Sequence, residues 1–353
     1  MCATFCDDNC MNIQVGNTLL FPTFIRRRGE VYTREIFEDN VPESSQVLFS
    51  AAGNRYEIVR TIKPAIYGRV DIGIILDGED NALFRTDQKV AIKVIYQDSL
   101  AQMYCEKAAE NPITEISAMQ FIGNENPNLM GQIECLFDDG NIYSIMRLCS
   151  EGEFLDYVMN DGPLDEGTAR QMVRNVLNGL ERLQQLGIGH RDFSAENLLI
   201  DSLISDDFQY VIIDYGMCAR CPRRNEIADT VDEEMLTASS FKHVPRRQCG
   251  KAQYMAPEVY DTTLTHINPM LCDIWALGVV LFVALSGCFP MENSTENNGK
   301  FQYIVGNRLQ ELVDRWQLPI PPAAVDLIQK LLQRNPAERL TIAQIRDHPW
   351  MNQ

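Results

Sequence analysis

The spacing of apolar and polar positions changes once along this chain. From Tyr56 onward, apolar residues alternate with polar ones or run as β-branched clusters. This occurs at Tyr56–Ile62, Gly68–Leu76, Val90–Ile95, Gly131–Phe137 and Ile142–Leu148. A period of two puts every second side chain on one face, so the pattern predicts five strands. Asp77-Gly78-Glu79-Asp80-Asn81 and Asp138-Asp139-Gly140-Asn141 separate pairs of them and carry turn-forming residue types. One helical segment, about Pro112 to Ile122, falls between the third and fourth strands, with Pro112 suited to a first turn. After Leu148 the spacing becomes helical, at Phe154–Met159, Asp165–Leu186, Met270–Leu285, Asn307–Trp316 and Ala323–Leu332. Asp165 is the expected N-cap of the long helix and Gly187 its stop. The pattern is α+β, a small β-rich half followed by a larger helical half.

The run Ile274–Leu285 is apolar on all sides, begins just after Asp273 and is too short to span a bilayer. It is expected at the centre of a large core, and no transmembrane segment is expected. Residues 1 to about 50 have mixed composition, with Arg26-Arg27-Arg28 and an acidic stretch near Glu38-Asp39. They are taken as an N-terminal extension with no order assigned.

Composition adds exclusions. The 353 residues suffice for two packed lobes, and 45% hydrophobic with 23% charged residues is ordinary for a globular protein. The formal net charge of -18 argues against non-specific binding to nucleic acid or anionic membranes, and is compatible with basic peptide substrates. Eleven cysteines follow a start, Met1-Cys2-Ala3-Thr4-Phe5, that lacks a basic and then apolar leader. Reduced thiols and an intracellular, cytoplasmic location are expected. Residue two is not Gly, so N-myristoylation is not signalled.

Three local patterns carry chemistry. His190-Arg191-Asp192, with Asn197 five positions beyond Asp192, puts a carboxylate and an amide oxygen on one short loop. Phosphoryl transfer to a hydroxyl needs a carboxylate to orient the nucleophile and an oxygen ligand for a metal. Val211-Ile212-Ile213 leads into Asp214-Tyr215-Gly216, a carboxylate at a strand end before a flexible Gly. Val90-Ala91-Ile92-Lys93 puts an amine on a buried strand, where it needs a carboxylate partner and anionic phosphates. Glu115 lies on the lone helix of this half and leads into Met119, Phe121 and Ile122; Glu106 and Glu110 are its rivals.

Taken in order, these patterns resemble the eukaryotic protein kinase family over about Tyr56 to Trp350. The resemblance is carried by Val90–Lys93, Glu115, a hinge after Met146, His190–Asn197 and Asp214–Gly216. It continues through Ala256-Pro257-Glu258, Asp273-Ile274-Trp275 and Arg339. It implies a bilobal kinase fold over 51–353, with an N-lobe at 56–147, a hinge at 147–149 and a C-lobe at 150–353. It implies that Lys93 contacts the ATP phosphates and pairs with Glu115, that Asp192 is the catalytic base, and that Asn197 and Asp214 hold Mg²⁺. Val70, Ala91 and Leu199 would sandwich the adenine, with Ile62 and Gly68 on the same cofactor site. Met146 would be the gatekeeper, and Arg147-Leu148-Cys149 the hinge. Glu258 would pair with Arg339, and Asp273 would anchor the catalytic loop. Arg191 beside Asp192 resembles kinases switched by an activation-loop phosphate, which implies an upstream activating kinase.

Three departures stand out. The family's G-x-G-x-x-G aligns with Lys63-Pro64-Ala65-Ile66-Tyr67-Gly68, where only Gly68 remains. Lys63 and Ala65 replace glycines that let backbone N–H groups approach phosphates, so a stiffer, weaker lid is expected. The catalytic-loop Lys, two positions after the Asp, is Ser194, and the Thr of the substrate-binding segment is Lys251. These two positions touch in the family, so both changes read as one exchange. The Lys251 ammonium would occupy the site of the missing Lys, with Ser194 as its partner. Tyr215 in place of Phe is a small change.

Tyr254-Met255-Ala256-Pro257-Glu258 points to Ser/Thr specificity. Trp350 after His348-Pro349 resembles the end of calcium/calmodulin-type kinase domains, while no D-x-D-x-D-G calcium loop is present. Glu153 suits either a basic substrate or the ribose. The activation segment offers Thr230, Thr237, Ser239 and Ser240 as phosphosites. It also holds Asp229, Asp232, Glu233 and Glu234, read as a solvated acidic loop or as phosphate substitutes. Cys218-Ala219-Arg220-Cys221 with His243 and Cys249 is read as free thiols, with a zinc or redox site as the alternative, and Cys2, Cys6 and Cys10 as reduced cysteines, with acylation or metal binding as the alternative. The leading function is an ATP- and Mg²⁺-dependent protein Ser/Thr kinase acting on protein substrates. The competing readings are a pseudokinase serving as a scaffold and a small-molecule kinase.

Overall fold

The structure is a computed structural model that describes residues 10–11, 24–25, 27–34, 45–50, 52–79, 82–100, 110–138, 140–202, 208–225, 227 and 231–353. Arg26, Glu38, Asp39, Asp80, Asn81, Glu106, Asp139, Asp229, Thr230, Cys2 and Cys6 lie outside these residues. The chain forms two units. The first is built from residues up to Asn124 and from Met130–Leu148, the second from Glu125–Leu129 and Cys149–Gln353.

In the first unit the alternating segments pair into a seven-stranded closed barrel. Its order is Arg27–Arg34, Ser45–Ser50, Arg55–Ala65, Gly68–Glu79, Ala82–Tyr96, Asn141–Arg147, Glu134–Phe137. The last strand pairs in parallel with the first, Arg27 opposite Leu136 and Arg28 opposite Phe137. Val90, Ile92 and Val94 point to one face and pack with Leu48, Tyr56, Leu136, Tyr143 and Ile145 into one buried cluster. The intervening Ala91 and Lys93 therefore face the other way. A buried polar knot ties three of the strand ends. The Glu134 carboxylate accepts from the Ser50 hydroxyl, from Asn54 Nδ2 at 3.1 Å and from the Tyr56 hydroxyl at 3.0 Å. Burial, and then that carboxylate, push the Tyr56 hydroxyl pKa above its usual value.

Two boundaries differ from the sequence expectation. The domain start expected at 51 lies within the sheet, which extends back to Arg27. Val47 and Leu48 are fully buried because their strand pairs with Arg55–Ile58. Residues 125–129 join the second unit rather than the first, since Asn128 Nδ2 donates to the Tyr210 carbonyl at 3.0 Å and Leu129 bridges to Ile212. The turn expected at 77–81 is also tighter. Asp77, Gly78 and Glu79 pair with Phe84, Leu83 and Ala82, so these three residues are strand.

The second unit is helical. Glu166–Gln185 buries Ala169, Met172, Val173, Val176, Leu177, Leu180 and Leu183, a stripe at helical spacing. Asp165 caps it, accepting from Gly167 N at 2.8 Å and Thr168 N at 3.1 Å, and Gly187 ends it at φ 72°. The helix Pro269–Ser286 is long and apolar enough to cross a membrane, but 89% of that window is buried inside the structure. It is the core helix, apolar on all faces except where Asp273 leaves it for the catalytic loop. A three-stranded sheet, Gly152–Glu153, Leu198–Asp201 and Gln209–Ile212 with Leu198–Asp201 central, supports the segments on either side of the site. The helices Gly299–Val305 and Ile342–Arg346 were not anticipated, being only two or one turns long.

Candidate active site

In the first unit, Lys93 is mid-strand, opposite Val70 on one side and Ser144 on the other, and Ala91 is opposite Met146. Val70, Ala91, Lys93 and Met146 thus share one face of the sheet. The Lys93 ammonium meets Glu115 Oε2 at 2.5 Å, with both side chains largely buried. Glu115 is presented by the helix Pro112–Ile122, whose N-terminus is capped by Asn111 Oδ1 accepting from Ile113 N and Thr114 N. Glu110 precedes the helix, so the helix selects Glu115 over that rival.

The degenerate Gly-rich segment forms a tight hairpin. Lys63, Pro64 and Ala65 pair with Val70, Arg69 and Gly68, leaving only Ile66 and Tyr67 as the loop. The Tyr67 carbonyl accepts from Tyr96 N at 2.9 Å, and its hydroxyl donates to the Glu110 carbonyl at 3.3 Å. A Cβ on Gly68 would lie 1.9 Å from the Val94 carbonyl oxygen. The close approach of two strands therefore requires this glycine, whatever else it contacts. Ile62 sits at a bulge between Thr61 and Lys63 and is 43% exposed. The chain leaves the first unit at Leu148 and enters the second at Cys149, within the expected hinge; Leu148 is half-buried and Cys149 buried.

In the second unit the catalytic loop is held from below. Asp273 Oδ2 accepts from His190 N at 2.7 Å, and Oδ1 accepts from Arg191 N at 2.9 Å. Those bonds support Arg191 at φ 69°, a conformation few non-glycine residues adopt. The His190 ring is fully buried. Its Nε2 lies 2.9 Å from the Ile213 carbonyl, and Nδ1 accepts from Asp192 N at 3.3 Å, which one tautomer satisfies. The Tyr215 ring packs against that ring at a tilt, centroids 5.4 Å apart, and its hydroxyl donates to the Ile212 carbonyl at 2.9 Å. The extra oxygen relative to Phe is thus satisfied.

Four predicted residues, Asp192, Asn197, Lys251 and Ser194, form one hydrogen-bonded group. Its Oδ1 accepts from Lys251 N at 3.1 Å. Its Oδ2 accepts from Asn197 Nδ2 at 2.9 Å and from Lys251 Nζ at 3.2 Å. Lys251 Nζ also donates to Ser194 Oγ at 3.1 Å. Asn197 Nδ2 makes a second bond to the Asp192 carbonyl at 2.8 Å, so its Oδ1 is turned away from the carboxylate. Asp214 follows directly on Ile213, whose N–H donates to the Asn197 carbonyl at 3.0 Å, and it too has positive φ, 66°. One of its oxygens accepts from Gly216 N at 3.2 Å. A neutral amide oxygen and a carboxylate held by short links in one unit suit a hard divalent cation. Leu199 is half-buried on the central strand, opposite Val211.

Other expectations fall elsewhere. The Arg191 guanidinium donates to the Arg247 carbonyl at 3.3 Å. Ser240 is buried and accepts from Thr237 N, whereas Thr237 and Ser239 are exposed with their hydroxyls 2.9 Å apart. Asp232 caps Glu234 N, and Glu233 meets Arg182 at 3.3 Å at the surface. Glu258 and Arg339 form a buried two-pronged pair at 2.6 and 2.7 Å. Among the described residues, Cys218, Cys221, His243 and Cys249 do not converge as a metal-ligand group. Cys218, Cys221 and Cys249 are buried, and burial pushes the Cys221 thiol up to about 12, so it stays protonated.

Sequence reasoning had overlooked two contributors. Gly250, at φ 97°, has no room for a Cβ, which would fall 2.7 Å from the Arg191 carbonyl oxygen. A Gly directly before Lys251 was the available signal. Ser294 donates to the Met255 carbonyl at 2.5 Å, a contact with no local signature.

Comparison with known proteins agrees with this geometry. The family model described as Protein kinase domain matches residues 81–351. The match begins after the hairpin that lacks the family's glycines. The chain is 31% identical over 268 residues to Calcium-dependent protein kinase 12 of Arabidopsis thaliana, covering 76% of this chain and 49% of that protein. It is 29% identical over 303 residues to Serine/threonine protein kinase OSK3 of Oryza sativa subsp. indica, covering 85% and 51%. It is 28% identical over 302 residues to SNF1-related protein kinase catalytic subunit alpha KIN12 of Arabidopsis thaliana, covering 84% and 51%. The chain spans about half the length of these relatives. With the Lys93–Glu115 pair, the Asp273-held loop and the Glu258–Arg339 pair all in place, and most of its length matched, the chain belongs to the protein kinase domain family.

Proposed function

We propose that the chain is a protein serine/threonine kinase that uses ATP and Mg²⁺. The observation that carries the reading is the Asp192 carboxylate, held by Asn197 and Lys251 on a loop fixed by Asp273. A substrate hydroxyl oxygen forms a new bond to the γ-phosphorus while the bond from that phosphorus to the β-bridging oxygen of ADP breaks. Asp192 orients the hydroxyl and takes its proton. Lys93, fixed by Glu115, grips the α- and β-phosphates. In the first unit Val70 and Ala91, with Ile62, Gly68, Met146 and Leu148, would contact the adenine, and in the second unit Leu199 and Cys149 would do so. Asn197 and Asp214 would hold the Mg²⁺, which would offset the phosphate charge.

The relatives' names carry the Ser/Thr preference, and Tyr254–Glu258 is consistent with it. The net charge of -18 favours basic protein substrates. Among the described residues, the free, buried thiols of Cys221, Cys249 and Cys272 support a reducing intracellular location, the cytoplasm. The test is transfer of labelled γ-phosphate to a basic protein with Mg²⁺, comparing wild type with Asp192→Asn. A loss of roughly 100-fold or more is expected from removing the base. Equal transfer by both proteins would refute the kinase reading and leave a scaffold role.

A further inference from the structure

We infer that Lys251 supplies the cation facing the transferring phosphoryl group, and that the activation segment delivers this charge onto a seat formed by Ser194. The inference rests on the kinase reading above and deepens it. An ammonium has three N–H donors. Two are directed at Asp192 Oδ2 and Ser194 Oγ, at 3.2 and 3.1 Å. The side chain is 32% exposed, while Asp192 and Ser194 are buried, so the third donor faces outward from the carboxylate. That is where a phosphoryl group in flight to a hydroxyl on Asp192 carries negative charge on its equatorial oxygens. Lys251 neither gains nor loses a proton in this step; the hydroxyl proton goes to Asp192.

Ser194 is a positioning residue. It is fully buried, and its oxygen takes the second donor of Lys251, which fixes the direction of the third.

The backbone makes charge delivery and segment seating one event. Lys251 N donates to Asp192 Oδ1 while Lys251 Nζ donates to Oδ2, so one residue grips both carboxylate oxygens. Gly250 brings the segment within van der Waals contact of the Arg191 carbonyl. Tyr254 N and Met255 N donate to the Lys251 carbonyl at 3.0 and 3.2 Å, and the Tyr254 ring packs edge-on to Phe289 at 5.5 Å. A segment that lifts away would take with it both the cation and the clamp on the base.

The test is a reciprocal exchange read as kcat, KM for ATP and melting temperature: Lys251→Thr, Ser194→Lys, the double variant, Lys251→Arg and Asp192→Asn. Lys251→Thr is expected to lower kcat roughly 100-fold with little change in KM, as for loss of one donor to a charged transition state. Ser194→Lys alone is expected to be poor, because two ammonium groups then compete for one seat. The double variant restores one cation from the other side and should recover to within about tenfold of wild type. Lys251→Arg should retain part of the activity. If Asp192→Asn is inactive but Lys251→Thr turns over like wild type, this inference alone falls. If the double variant is folded by its melting temperature yet no better than Lys251→Thr, the exchange is likewise overturned. If Asp192→Asn equals wild type, the kinase reading fails and this inference with it.

Discussion

Single residues in this protein act through the number of hydrogen bonds each can make. Asp273 has two carboxylate oxygens and spends one on each of two successive N–H groups, which lets Arg191 hold a left-handed conformation beside the base. Asp165 works the same way at the start of Glu166–Gln185, accepting from Gly167 N, Thr168 N and, at 2.6 Å, the Thr168 hydroxyl. The Thr168 hydroxyl, then its N–H, hold the Asp165 pKa below the usual carboxylate range. A depressed folded value means the contribution to stability is present above the ordinary value of 3.8 and lost as pH falls through the lower folded one. Asp165→Asn keeps the acceptor but removes the titration. Urea unfolding between about pH 5 and about pH 2 should therefore show a smaller loss for Asp165→Asn than for wild type. Asp165→Ala should cost about 1 kcal/mol at neutral pH. Parallel pH curves for wild type and Asp165→Asn would show that the cap is not coupled to this carboxyl.

At the scale of elements, strand closure is the main departure from the pattern read in the sequence. The strands Arg27–Arg34 and Ser45–Ser50 link Arg55–Ala65 to Glu134–Phe137, the two outer strands of the sheet. Without them both would present unpaired N–H and C=O groups, a template for association. Val47 and Leu48 are fully buried, each worth about 1.5–3 kcal/mol. A chain lacking residues 1–51 is expected to melt at a lower temperature and to scatter light on standing, even though every residue assigned a catalytic role is retained. Thermal unfolding and light scattering check this, and unchanged melting would make the closing strands dispensable. The hairpin Ala65–Gly68 belongs to the same barrel, and Gly68 is fixed there by the carbonyl of Val94. Loss of the other glycines of that segment is therefore compatible with the retention of this one.

At the scale of the whole molecule, charge is the property that reaches furthest. A formal -18 on 353 residues gives a field that attracts basic peptides over distances comparable to the Debye length, about 10 Å at 0.1 M salt. Transfer to a lysine- and arginine-rich peptide should lose kcat/KM steeply as salt is raised. Transfer to a neutral peptide with the same acceptor should change little. Equal salt dependence for the two would show that the net charge plays no part in substrate capture.

Much of the fold was legible because local rules govern it. Period-two and helical spacing placed most strands and long helices within about three residues, whereas the strand expected from Val90 begins at Ala82. Asp165 and Gly187 marked the ends of one helix, since capping is decided within four residues. The loop His190–Asn197 was readable for the same reason: base, amide and anchor points fall within eight consecutive positions. The strands at 27–50 were not, because their composition is mixed and their burial depends on partners far along the chain.

What the sequence determined by itself is the kinase framework and the identity of its charged residues. The resemblance also named pairs that touch, Lys251 with Ser194 among them. What only the tertiary structure decided is the contacts beyond those pairs: Lys251 N and Nζ grip both oxygens of Asp192, 59 residues away. Arg191 ends on the Arg247 carbonyl, and Gly68 is held by a neighbouring strand rather than by any local need. Periodicity fixes the direction of a side chain relative to its own backbone, whereas a contact between distant segments is set by how their elements pack, and that information lies in no single stretch of the chain.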